Sequence, residues 1–176
     1  GVRGNTEWTY PAGCKIKFDH LNQEKNMFDH QGAAYVFLGF DELTHFLKSQ
    51  FFYLLSRNRP PAGCFLRPYC RATFNAEPGW IADMIQWYWN PETGYPIKER
   101  SGVIRHFIRK KTNNPNDDDI IWVSPDYRDE NGLAPYSFTF ISASADDNPL
   151  GLLADPTFKS RMNSLDHVTR ERLVGS

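Results

Sequence analysis

The sequence predicts an α/β protein in which a mostly parallel sheet is flanked by helices. Two patterns carry that expectation. Tyr35 to Phe40 (YVFLGF) is an unbroken apolar run, the pattern of a strand covered on both faces. Extended and helical stretches then alternate along the chain, as in layered α/β sheets. The composition agrees: 176 residues, 40% apolar and 23% charged, suit a packed domain rather than a disordered chain.

Trp8 to His20 (WTYPAGCKIKFDH) reads as a hairpin, with Pro11-Ala12-Gly13 as the turn and Cys14, Ile16 and Phe18 alternating with Lys15, Lys17 and Asp19. After the apolar run, Leu43 to Ser56 is expected to be a helix, because Leu43, Leu47, Phe51, Leu54 and Leu55 share a face. Arg57 to Gly63 (RNRPPAG) stops it. Phe65 to Phe74 is extended, and Gly79 to Trp89 is a helix with Ile81, Met84, Ile85 and Tyr88 on one side. Val103 to Ile108, Ile120 to Val123 and Tyr136 to Ile141 read as further strands, and Pro156 to Leu173 as a C-terminal helix. Asn113 to Asp119 (NNPNDDD) reads as a solvated turn.

The total charge of −1 conceals an uneven spread. Residues 61–112 carry 8 basic and 4 acidic groups, whereas residues 113–156 carry 1 and 9. Such a basic middle suits a polyanion, and equally an ordinary solvated face. Val103 to Lys111 concentrates it: Arg105, Arg109, Lys110 and Lys111 are candidates for DNA-backbone contact or for a solvated strand edge. No apolar run approaches the length that spans a bilayer, so no membrane partner is expected. Three cysteines without a CxxC spacing read as reduced core thiols of a cytosolic protein. His20, His30 and His45 lack metal-ligand spacing. The aromatic cluster of Trp80, Trp87, Tyr88 and Trp89 suits packing against a sheet more than base stacking.

The most informative segment is Tyr35 to Phe46 (YVFLGFDELTHF), where the apolar strand runs into Asp41-Glu42. Adjacent carboxylates at the C-terminal end of such a strand sit where α/β sheets bind ligands. In a nucleoside triphosphatase the first would help hold Mg²⁺ and the second would orient the attacking water. Acidic residues also favour helix starts, so the pair alone fits either reading. The next extended run ends in Ala72-Thr73-Phe74-Asn75, whose Thr and Asn are placed to sense a γ-phosphate or the attacking water; Asn75 would serve equally as a turn cap.

With these segments in hand, the chain resembles the large terminase subunit of tailed bacteriophages, the ATPase motor of DNA packaging. The resemblance spans nearly the whole chain. It runs from Trp8–Gly13 and Ile16–His20 through His30–Ala33, Gly39–Phe46 and Tyr53–Arg59 to Arg71–Asn75 and Asp147–Leu150. It implies a P-loop NTPase-like (ASCE) sheet, incomplete at the N-terminus, over residues 1–136, and a small helical linker subdomain over residues 137–176. It implies ATP and Mg²⁺ as cofactors, with Asp41 toward Mg²⁺ through water and Glu42 as the catalytic glutamate. Thr73 and Asn75 match the coupling motif. The implied partners are double-stranded DNA, a portal protein, a small terminase subunit and further copies in a ring, in the host cytoplasm and transiently at the procapsid portal.

Three departures qualify that expectation. The sequence contains no G-x-x-x-x-G-K-[ST], the loop that cradles phosphates; the resemblance puts it upstream of Gly1. No dispersed Asp set for two-metal nuclease chemistry can be assigned. Many relatives carry arginine where Gln31 stands, and an amide does not offset phosphate charge as a guanidinium does; Arg57 or Arg59 becomes the candidate arginine finger or sensor. The isolated chain is therefore expected to lack unaided ATPase activity. The alternative is a non-catalytic remnant, or a DNA- or protein-binding module, that retains the ATPase sheet.

Overall fold

The computed structural model describes residues 6–75, 77–157 and 160–161. It is a mixed α/β protein with small sheets, ordered β1-β2, β3-β4 and β6-β5-β7. The chain divides into two compact units, Gly1–Leu38 with Ser49–Cys70, and Gly39–Lys48 with Arg71–Ser176.

In the first unit, β1 (Glu7–Thr9) and β2 (Lys15–Lys17) form the expected hairpin, with Trp8 opposite Ile16. Its turn closes through the Tyr10 N–H to the Cys14 carbonyl (2.8 Å), and Gly13 supplies the positive φ of +83° that a side chain resists. Cys14 is exposed, and Cys64 and Cys70 are half-buried, so none is fully a core thiol. Burial pushes the Cys70 thiol up to about 12. A 3-10 stretch, Glu24–His30, buries Met27 and His30. The His30 Nδ1 lies 2.9 Å from the Tyr35 hydroxyl. α1 (Lys48–Leu55) buries Ser49, Gln50, Phe52 and Leu54. Its polar pair is satisfied: Gln50 donates to the carbonyls of Leu21 and Gln23, and Ser49 to Glu24.

The expected helix from Leu43 begins late. A 3-10 turn, Leu43–His45, ends at an extended Phe46, and α1 comes after it. In the second unit, the Trp80 indole N–H donates to the Phe46 carbonyl (2.9 Å) and the Phe46 ring packs edge-on against Phe40. These contacts outweigh local periodicity. β3 (Phe37–Phe40) is shorter than the apolar run and is not covered on both faces: Phe40 is buried, but Phe37 is half exposed.

β4 spans Tyr69–Ala72. α2 (Trp80–Ile85) continues as a 3-10 turn, Gln86–Tyr88, within the predicted helix. The later strands depart from expectation in direction. β5 (Arg105–Lys110) pairs antiparallel with both β6 (Asp119–Val123) and β7 (Tyr136–Phe138). The short connection between β5 and β6 decides this, because a parallel return needs a crossover of a dozen residues or more. Phe107 is the sheet's buried centre, stacked on Tyr136 and edge-on to Trp122. Tyr88 is 0% exposed, packs beside Phe138 and Phe140, and donates its hydroxyl to the Val103 carbonyl (2.8 Å). The aromatic cluster is thus packed, as its composition suggested. α3 (Pro149–Ala154) starts at Asn148, whose side chain accepts from the Gly151 N–H, with Pro149 in the first turn. The helix expected over 156–173 lies largely outside the described residues.

The 113–119 turn is exposed except at half-buried Asn116 and at Asp118, which is 2% exposed. Its carboxylate accepts from the Thr112 N–H (2.7 Å) and pairs with Arg109, while its carbonyl accepts from Lys48. Burial opposes its charge, but the Thr112 N–H and the Arg109 guanidinium outweigh it and hold the carboxyl below the usual aspartate range. A depressed pKa stabilises the fold above the unfolded value of about 3.9, and that contribution disappears as pH falls through the lower folded value. Asp118→Asn should cost on the order of 3 kcal/mol near pH 7. Thermal melts of the variant and the parent should draw together as pH falls below the usual aspartate range and through the lowered folded value; a constant gap across that range would contradict this account.

Candidate active site

The acid pair belongs to a turn that Thr73 holds. At the end of β3, Phe40 is buried and fixes the strand against the core of the second unit, while Asp41 and Glu42 are exposed. Thr73 makes three bonds to this segment. Its N–H donates to the Phe40 carbonyl (2.9 Å), its carbonyl accepts from the Leu43 N–H (2.9 Å), and its hydroxyl donates to Asp41 Oδ1 (2.6 Å). One residue thus bonds the same neighbouring segment on both sides of itself, as strands running in the same direction do.

Glu42 is the only residue other than glycine with a positive φ among the described residues, at φ 52° and ψ 58°. A side chain in the left-handed region costs about 1–2 kcal/mol. Adjacent residues on a regular strand face opposite ways; the left-handed residue ends that alternation at the strand's tip. Leu43, buried, anchors the far side of the turn, which lies against α2. Two further bonds fix the residues after the turn, from Trp80 to the Phe46 carbonyl and from Lys48 to the Asp118 carbonyl.

The arrangement offers two exposed carboxylates, one of them oriented. Thr73 occupies one oxygen of Asp41, leaving the other Asp41 oxygen and the Glu42 carboxylate for a ligand. No group of three or more His, Cys, Asp or Glu side chains able to enclose a metal occurs among the described residues. That donor set suits a cation which keeps most of its waters and takes its remaining ligands from a phosphate, the habit of Mg²⁺.

The structure brings Asp41, Glu42 and Thr73 together. Asn75 stands two residues after Thr73 and is half-buried; Ala76 lies outside the described residues. Arg57 and Arg59 belong to the first unit, where Arg57 lies over the Tyr53 ring (4.8 Å) and Arg59 reaches the Gly32 carbonyl (3.5 Å). The basic strand is split in role: Arg109 is committed to Asp118, Arg105 lies over two tryptophan rings, and Lys110 and Lys111 are exposed. Sequence reasoning missed Lys48, Trp80 and Asp118 as supports of this loop. Nothing local marks them, because each acts on a carbonyl or a charge distant in sequence.

A family profile described as terminase large subunit, T4likevirus-type, N-terminal, matches the chain over residues 2–175. No curated protein and no solved structure matches it.

Glycine at position 42 would remove the left-handed strain. Glu42→Gly should raise stability by about 0.5–1 kcal/mol, or roughly 1–4 °C in melting temperature. Thr73→Val should lower it by about 1 kcal/mol, and Thr73→Ser should restore it. Denaturant titration measures both; a destabilised Glu42→Gly variant would contradict the strain.

Proposed function

Since this chain belongs to the T4-like type of terminase large subunits, in its N-terminal region, and so to the packaging of phage DNA, we propose that Asp41 and Glu42 are the acid pair of an ATP-hydrolysing site that drives packaging. The observation that carries the reading is the Thr73 hydroxyl on Asp41 Oδ1 (2.6 Å), which ties the acid pair to the segment expected to sense nucleotide state. In this reading the fold is the P-loop NTPase-like sheet, with residues 1–136 as ATPase and 137–176 as linker.

Bound Mg²⁺ would neutralise charge on the nucleotide's phosphate oxygens. Asp41 would hold that cation's hydration shell through the oxygen Thr73 leaves free. Glu42 orients a water and takes its proton on a carboxylate oxygen. Its exposure leaves it within reach of solvent water, and its backbone strain fits a residue kept for function rather than stability. Thr73 and Asn75 carry the response, because any shift of Asp41 pulls on the Thr73 hydroxyl and on β4 behind it. The cradle for the phosphates is not encoded in these residues, since the sequence has no Gly-Lys pair. Arg57 or Arg59 supplies the arginine finger, and duplex DNA, a portal ring, a small subunit and further copies of the protein are the partners. The motor works in the host cytoplasm and docks transiently at the procapsid.

Mg-ATP titration and steady-state hydrolysis test this in the packaging protein that carries the chain and in the chain itself. In the packaging protein, Glu42→Gln should lower the hydrolysis rate by about 10²-fold or more with nucleotide affinity within about threefold of the parent. Asp41→Asn should weaken Mg-ATP binding itself. The chain alone should hydrolyse ATP at no measurable rate. Full activity in Glu42→Gln would end the assignment.

A further inference from the structure

Beside the second unit's three-stranded sheet lies an open groove of about 370 Å³, lined by residues 104–106 and 122–125. Its charged wall is Arg105. The guanidinium carbon stands 3.8 Å from the Trp122 ring centroid and 4.8 Å from that of Trp87. Arg100 also lies over Trp87 (4.7 Å) and donates to the Trp87 backbone carbonyl (2.7 Å). Contact with ring faces uses the guanidinium's charge and leaves its in-plane N–H donors unspent. Among the described residues Arg105 has no hydrogen-bond acceptor and no carboxylate partner. Burial acts against its charge, Tyr88 partly offsets that, and the neighbouring Arg100 adds to it. The groove has a cation in its wall, the Ser124 hydroxyl at its rim and no carboxylate in its lining.

A half-buried cation seated against two ring faces, with donors free, is a pre-organised receptor for an oxyanion, because part of the ordering entropy is spent in folding. The groove is open rather than enclosing, so it fits one group of a long polyanion better than a free small ion. Farther along the strand Lys110 is exposed, but it stands opposite Asp119 and on the other face from Arg105, so the free positive charge at the groove is Arg105 itself. Arg109 is excluded from this role because Asp118 holds it.

We propose that the groove at Arg105, Trp122 and Ser124 binds a backbone phosphate of duplex DNA, with Arg105 as the anchoring donor. The choice of DNA over an acidic protein segment rests on the proposed packaging function; the groove geometry does not.

Fluorescence anisotropy with a labelled duplex of about two helical turns, without nucleotide and at low salt, tests it on the full 176-residue chain. Arg105→Gln should weaken binding about tenfold and reduce the log–log salt slope by about one. Arg105→Lys should recover only part of the affinity, because an ammonium lacks the planar fork. Arg105→Gln also disturbs the tryptophan stack, so Ser124→Asp provides the second arm. Ser124 is exposed, and a carboxylate there repels phosphate while leaving the stack in place. Ser124→Asp should weaken duplex binding about tenfold with an unchanged melting temperature. Unchanged duplex affinity in both variants overturns the proposal. So does Arg105-dependent binding of a polyglutamate peptide with none of the duplex, which would make this a protein-docking groove. Because no nucleotide is present, the result is independent of Asp41 and Glu42, and failure of either assignment leaves the other intact.

Discussion

Three hydrogen bonds made by Thr73 hold together the turn that carries Asp41 and Glu42. The end of a strand is where backbone groups lose their ladder partners and must find others. Here the carbonyl of Phe40 and the N–H of Leu43 both go to Thr73, so the chain can turn sharply between them with its polar groups satisfied. That satisfaction is what permits Glu42 to remain in a left-handed conformation, which an unsupported loop would relax. The Thr73 hydroxyl then fixes the Asp41 carboxylate. Backbone accounting and side-chain orientation are therefore set by one residue.

The segment after the acid turn is held by groups from elsewhere in the second unit. The Phe46 carbonyl receives the Trp80 indole N–H, and the Lys48 ammonium reaches the carbonyl of Asp118. Asp118 is buried, and a buried carboxylate must be compensated fully or be costly. Arg109 and Thr112 meet that demand and close the β5–β6 turn around it. Lys48 reaches the same residue from the end of the acid loop, so the antiparallel hairpin and the loop after the acid pair share one polar anchor.

The aromatic residues divide by their second partner. Tyr88 and Phe107 are consumed by packing, one with its hydroxyl satisfied by a carbonyl and the other at the centre of the sheet. Trp87 and Trp122 instead hold cations against their faces. Arginine over tryptophan retains donors that a salt bridge would have used, which separates the roles of Arg105 and Arg109 although both lie on one strand.

Local chemistry was legible in the sequence wherever a short stretch fixes its own structure. The Pro-Ala-Gly turn closes the first hairpin, alternation marks the later strands, and Asp41 at the end of the apolar run meets Thr73 once the chain folds. The family, too, was legible, because the order and spacing of several motifs survive in the chain itself. The late start of α1, the exposed face of Phe37 and the single buried aspartate in NNPNDDD were decided only by the tertiary structure. The first and last of these depend on a partner far along the chain: Trp80 for the break at Phe46, and Lys48 for Asp118. Periodicity reports which side of an element is apolar, whereas burial is settled by what lies opposite, and only tertiary contact supplies that.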